Sequence, residues 1–167
     1  GYSSDHIRRR VAEMASFFGI EHWFEKSVEE LSGGQKQLLN LAAVMVLQPK
    51  VLVLDEPTSQ LDPIAATEFF SVLGRIHREL GTTVIVTEQR LEELLPIADR
   101  VAVMEGGRIV AHGDCDTVGR QLKACDHRMF RAMPSAMRLW GAVESDAPCP
   151  ITVGEGRAFV TEYGKAH

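Results

Sequence analysis

The chain is poor in cysteine, tryptophan and tyrosine, has no long uninterrupted hydrophobic run and carries no excess of positive charge. Each shortage removes a class of protein. Three cysteines, Cys115, Cys125 and Cys149, are an odd number at spacings that match no disulfide scaffold, so free thiols in a reducing compartment are expected. His112 and His127 could be joined to Cys115 and Cys125 as a zinc quartet, but the spacing is not that of a known ligand set. The longest apolar run, Leu38 to Leu47, is interrupted by Asn40 and falls far short of the ~20 residues a membrane-crossing helix needs. Lys and Arg number 18 against 23 Asp and Glu, a net charge of −5, and no basic run exceeds Arg8-Arg9-Arg10. That balance leaves no electrostatic footprint for DNA or RNA, and nucleic acid is not expected as a partner.

What is present suffices for one ordinary folded domain, since 45% of 167 residues are hydrophobic. The most informative stretch is Val51-Leu52-Val53-Leu54-Asp55-Glu56-Pro57. Consecutive branched and aliphatic residues suit a strand buried on both faces, as in a parallel sheet, and Pro57 cannot continue its hydrogen-bond ladder. Two carboxylates therefore stand just past the carboxyl end of a strand. That is where open α/β sheets bind ligands, and the pair suits a metal ligand beside a general base. An acidic loop after a core strand is the simpler alternative.

The rest of the chain is expected to alternate helices and strands. Apolar residues recur at helical spacing from Asp5 to Phe18, with Gly19 placed to end the helix. Trp23 and Phe24 read as core plugs. A second helix starts at Ser32, where Ser32 and Gln35 form a capping box. Gly33 and Gly34 are costly at that position, yet their missing side chains expose backbone N–H groups, and a bare helix N-terminus attracts phosphate. Asp62 caps a third helix that has Pro63 at its first position and Gly81 at its end. A second buried strand spans Thr82 to Thr87, and a short helix covers Leu91 to Ala98. Val101 to Met104 and Arg108 to Ala111 flank a Gly106-Gly107 turn. Helical stretches at 117–124, 135–144 and 153–163 follow, the last opened by a Thr152 and Glu155 capping box. The pattern is α/β, with a mostly parallel sheet, flanking helices and a helical extension at the C-terminal end.

Leu31-Ser32-Gly33-Gly34-Gln35, the strand ending Asp55-Glu56-Pro57-Thr58-Ser59, and Leu61-Asp62 occur together in this order. The combination resembles the nucleotide-binding domain of ABC ATPases, a partial P-loop NTPase fold here. The resemblance implies ATP and Mg²⁺ as cofactors. It makes Ser32, Gly33, Gly34 and Gln35 the signature motif, which meets the γ-phosphate of ATP held by a partner domain. Asp55 would hold Mg²⁺ through water, Glu56 would be the base for the attacking water, and Ser59 to Asp62 would be the D-loop. Phosphoryl transfer relies on such positioning and charge neutralisation more than on covalent help.

Thr87-Glu88-Gln89-Arg90-Leu91-Glu92-Glu93, then Pro96-Ile97-Ala98-Asp99-Arg100-Val101 and Gly106-Gly107-Arg108-Ile109, are similar to energy-coupling-factor importer ATPases, especially those with two ATPase domains in one chain. Leu139-Trp140 and Cys149-Pro150-Ile151-Thr152-Val153 resemble the bridge between such domains. The resemblance implies uptake of a vitamin, a vitamin precursor or a metal ion. It implies a second ATPase domain and a transmembrane coupling subunit as partners, and a peripheral location on the cytoplasmic face of the membrane. Residues 1–113 would be the back part of the ATPase domain, with a helical subdomain to about 48 and catalytic core from 49, and 114–167 would lead toward a second domain. Two alternatives stay open: an ABC-type ATPase without a membrane partner, and a degenerate half with a regulatory or interaction role.

Two departures bear on activity. At the switch position where the family has histidine stands Gln89, which can donate a hydrogen bond but cannot become cationic; losing one transition-state donor typically slows a reaction about 10²- to 10³-fold. Glu88 beside it reads as an acid at a helix N-terminus. The phosphate-cradling pattern G-x-x-x-x-G-K-[ST] does not occur, the nearest echo being Gly164-Lys165-Ala166. The chain is therefore expected to be a fragment with strand edges left unpaired. Calorimetry on residues 1–167 alone is expected to register no micromolar binding of MgATP, and a micromolar isotherm would overturn that expectation.

Overall fold

Asp62 and Pro63 start the longest helix as the sequence requires. In a computed structural model, which describes residues 3–166, the Asp62 carboxylate accepts from the N–H groups of Ile64 and Ala65 at 2.9 and 3.0 Å. Gly1, Tyr2 and His167 lie outside the described residues, including the Gly1-Tyr2 start that was placed in the helical part. The chain divides after Gln89 into two compact units.

The first unit runs α1 (Ser4–Phe18), α2 (Gly33–Met45), β1 (Val51–Asp55), α3 (Pro63–Leu80) and β2 (Thr83–Thr87), with two short 3-10 turns between α1 and α2. β1 and β2 are parallel, Val51 facing Thr83 and Asp55 facing Thr87. Parallel neighbours need a crossover, and α3 supplies it. Its apolar stripe, Ala66, Phe69, Phe70, Leu73 and Ile76, is buried, as are Leu52 of β1, Leu38, Leu41 and Met45 of α2, and Met14 and Phe18 of α1.

The strands are not covered on both faces as their composition suggests. Val53 is 68% exposed and Ile85 54%, while Leu52 is buried. Burial alternates because, among the described residues of this unit, helices cover one face of the pair and nothing covers the other. Trp23 is buried as expected, whereas Phe24 points outward, 64% exposed.

The second unit contains the short α4 (Leu91–Leu94), β3 (Val101–Glu105), β4 (Arg108–Gly113), α5 (Cys115–Ala124), α6 (Ser135–Gly141) and α7 (Val153–Ala166). The helix expected over 91–98 breaks after Leu94 into a 3-10 turn, Leu95–Ile97, because Pro96 has no N–H to continue the α-helical ladder. β3 pairs with β4, antiparallel, so the strands form two two-stranded sheets, one parallel and one not. The reason is the turn between them: Gly106 and Gly107 both take positive φ, 55° and 75°, the combination that closes a tight hairpin. Asp114 caps α5 by accepting from Thr117 N–H at 2.7 Å, which starts that helix two residues earlier than its apolar pattern suggests. α6 ends at Gly141, and α7 opens on the expected capping box, Glu155 accepting from Thr152 N–H at 2.9 Å.

Trp140 of α6 anchors this unit. It is 1% exposed and packs in one core with Val103, Ala111, Val118, Leu122 and Met137. Its indole N–H donates to Ala147 O at 3.0 Å, and Lys123 Nζ sits 4.6 Å from the ring centre. Among the described residues, no helix is long and apolar enough to cross a membrane.

All three cysteines are free thiols, Cys115 and Cys149 buried and Cys125 exposed. Burial pushes Cys149 up to about 12 and raises Cys115 as well, so neither forms a thiolate near neutrality. A native-state titration with a disulfide reagent is expected to count one fast thiol, lost in Cys125→Ser, and three in denaturant.

Candidate functional site

The parallel register sets the site. With Asp55 opposite Thr87, the segments leaving β1 and β2 emerge side by side at the carboxyl end of the sheet. The Thr87 hydroxyl donates to Asp55 Oδ1. Asp55 is exposed. An exposed carboxylate on a fixed strand end suits a hard cation that keeps most of its water, as Mg²⁺ does.

Glu56 follows with φ 44°, one of three non-glycine residues at positive φ among the described residues. Such backbone is held only where surrounding contacts over-determine it. Here the Glu56 N–H donates to Thr87 O at 3.0 Å and to the Thr87 hydroxyl at 3.2 Å, hooking the turn onto β2. The carboxylate is thereby turned toward the segment leaving β2, where Gln89 Nε2 donates to Glu56 Oε1 at 2.7 Å. Asp55, Glu56 and Gln89, assigned together from sequence, thus form one connected cluster at the strand ends.

Ser32 to Gln35 form a second group, at the start of α2. Ser32 Oγ accepts from Gln35 N–H at 3.2 Å and Gln35 Oε1 accepts from Ser32 N–H at 2.9 Å, which completes the capping box. The two glycines differ. A Cβ on Gly34 would stand 2.7 Å from Ala65 Cβ in the first turn of α3, so close helix packing requires that glycine. A Cβ on Gly33 would meet nothing within 4 Å. Packing therefore accounts for Gly34 and leaves Gly33 free for another purpose, such as close approach of a ligand to the backbone. α2 is also tied to the acidic turn: Gln37 Nε2 donates to Pro57 O at 3.0 Å. Asp62 ends this loop as the cap of α3, exposed, with one oxygen holding two N–H groups.

Three residues of the cluster escaped the sequence reading. Thr58 is fully buried at 0% exposure. Thr87 holds both Asp55 and the Glu56 backbone. Glu88 is not an acid at a helix N-terminus: its carboxylate reaches back to Thr58, accepting from the hydroxyl at 2.7 Å and the N–H at 3.3 Å. The sequence signal that could have found it is a carboxylate directly after an apolar strand, the same signal that marked Asp55.

The chain is similar to known proteins in sequence and in fold. A family model described as ABC transporter matches residues 3–59. The chain is 56% identical over 167 residues to a Bacillus anthracis protein named as an ABC transporter ATP-binding protein, covering 98% of this chain and 29% of that one. It is 39% identical over 113 residues to the methionine import ATP-binding protein MetN of Carboxydothermus hydrogenoformans, 68% of this chain and 34% of that one. The chain thus spans about a third or less of the length of these curated relatives. Among solved structures, cbiO1 from Clostridium perfringens, part of the ABC transporter complex cbiONQ, matches with TM-score 0.65 and 34% identity over 78% of this chain and 55% of that one. MJ1267, an ATP-binding cassette in its ADP conformation, shares the fold at TM-score 0.67 and 24% identity, over 79% of this chain and 51% of that one.

The contrast between the glycines is testable by chemical denaturation. Gly34→Ala is expected to lower stability by about 1–3 kcal/mol through overpacking against Ala65. Gly33→Ala is expected to stay within about 0.5 kcal/mol of the parent.

Proposed function

With the chain a homologue of the ATP-binding proteins of ABC transporters, we propose that it is the part of an importer's ATP-hydrolysing subunit that carries the catalytic carboxylates and one face of a shared nucleotide site. Residues 1–113 form the back part of the ATPase domain and 114–167 the extension toward a second one. The motifs after β2 favour the energy-coupling-factor class, with a vitamin, a vitamin precursor or a metal ion as cargo, and cbiO1, described as part of a transporter complex, is in keeping with that choice. Its partners are then a second ABC ATPase domain, in the same chain or a dimer, and a transmembrane coupling subunit, at the cytoplasmic face of the membrane.

One observation carries the catalytic part of this reading: Glu56, held at positive φ beside Asp55, receives the Gln89 amide at 2.7 Å. In the assigned mechanism Glu56 takes the proton of the attacking water, and Gln89 fixes the carboxylate's orientation while the water is aligned. Asp55 is the residue that would hold Mg²⁺, which neutralises phosphate charge when bound. Gly33, Gly34 and the N-terminal turn of α2, between Ser32 and Gln35, offer backbone N–H groups to a γ-phosphate presented by the partner domain. Asp62 sets the start of α3 and thereby the loop that meets that partner.

A second reading, a degenerate regulatory half, draws on Gln89, because an amide contributes no positive charge to the transition state. Phosphate release by the full-length protein separates the two. Glu56→Gln preserves the acceptor for Gln89 and removes the base, so turnover is expected to fall at least about 100-fold. Equal rates in parent and variant would overturn the assignment of Glu56, and a full-length parent without hydrolysis would favour the regulatory reading.

A further inference from the structure

Glu88 lies between two residues of the catalytic cluster but takes no part in the chemistry assigned above. Its two oxygens are engaged on different segments. Oε2 accepts from the Thr58 hydroxyl at 2.7 Å and the Thr58 N–H at 3.3 Å, and Oε1 accepts from the Gln89 N–H at 2.9 Å. A carboxylate so engaged by three donors is not poised to accept a proton from water, which rules it out as a replacement base.

Thr58 in turn is the anchor of the loop after β1. It is fully buried, and its carbonyl accepts from Leu61 N–H at 3.0 Å, forming the turn that delivers Asp62. The residue before it, Pro57, is held by Gln37 of α2. Two residues before Thr58 is Glu56, whose own carboxylate is held by Gln89. Beyond the bonds of the Glu56 N–H to Thr87, the loop 56–62 and the segment 87–89 are joined through two side-chain carboxylates, first that of Glu56, which accepts from Gln89, and second that of Glu88, which accepts from Thr58. Both joins have a carboxylate acceptor and are charge-assisted; the second is part-buried and the first exposed.

We propose that Glu88 is a positioning residue for ATP hydrolysis, a staple that fixes the Asp62 loop to the Gln89 backbone so that Glu56 and Gln89 keep their mutual register. This inference rests on the ATPase reading above. It needs a carboxylate specifically: glutamine has the same shape but a single acceptor, and its NH₂ group would face an N–H or O–H donor on one side.

The test is steady-state ATP hydrolysis by the full-length protein with Glu88→Gln, Thr58→Val, the double variant and Thr58→Ser. Glu88→Gln is expected to lower kcat about 10- to 100-fold with KM for ATP within about twofold, the signature of an interaction that acts on the transition state rather than on binding. Thr58→Val should act in the same direction, and the double variant should be no worse than the more severe single one, because both remove one bridge. Thr58→Ser, which keeps hydroxyl and N–H, should retain parental turnover. Should Glu88→Gln fail to fold, Thr58→Val against Thr58→Ser carries the same kcat test alone. Parental kcat in Glu88→Gln, or in Thr58→Val, overturns the staple, as do losses that multiply in the double variant. A full-length parent with no hydrolysis removes the ATPase reading itself, and the staple with it; an active parent with indifferent variants removes only the staple.

Discussion

Everything at the candidate site follows from the pairing of two short strands. A parallel ladder that sets Asp55 against Thr87 makes both chains leave the sheet at the same edge and at the same height. Residues more than thirty positions apart then become neighbours without any further device. A shift of one residue in that ladder would turn Asp55 to the opposite face and separate Glu56 from Gln89, since side chains alternate along a strand. The two strands are connected by α3, whose Phe69, Leu73 and Ile76 are buried, as is Leu52 of β1.

The polar contacts at this edge are layered around that ladder. Thr87 secures the backbone of the acidic turn, Gln89 secures the Glu56 carboxylate, and Glu88 secures the loop beyond. Three successive residues of one strand end thus each grip a different part of the opposite loop. α2 adds a fourth grip through Gln37 and Pro57, so the exposed Gly33 end of that helix and the acidic turn share one support.

Local signals were legible in the sequence, and tertiary ones were not. Asp62 and Pro63, the Ser32 and Gln35 capping box, the paired glycines of the hairpin and the Thr152 and Glu155 cap all act within a few residues, and each sits where its own chemistry places it. The burial of β1 was misjudged because an apolar run reports what a strand could bury, not which segments lie against it; Val53 and Ile85 face outward here. Glu88 was misread because its partner is thirty positions upstream, and no local pattern distinguishes a carboxylate that caps a helix from one that crosses to another loop. Gln89, by contrast, entered the candidate site only through resemblance to a family; its contact with Glu56, thirty-three positions upstream, is a tertiary feature that spacing alone would not have joined.

The amide at position 89 has one more consequence. A histidine there, with an ordinary midpoint near 6.5, would gain or lose its grip on a neighbouring carboxylate across the pH range of a living cell. Glutamine exchanges no proton in that range, so the donor in its 2.7 Å contact with Glu56 stays neutral. Residue 89 therefore brings the same uncharged N–H group to the acidic turn in a mildly acid cell as in a neutral one.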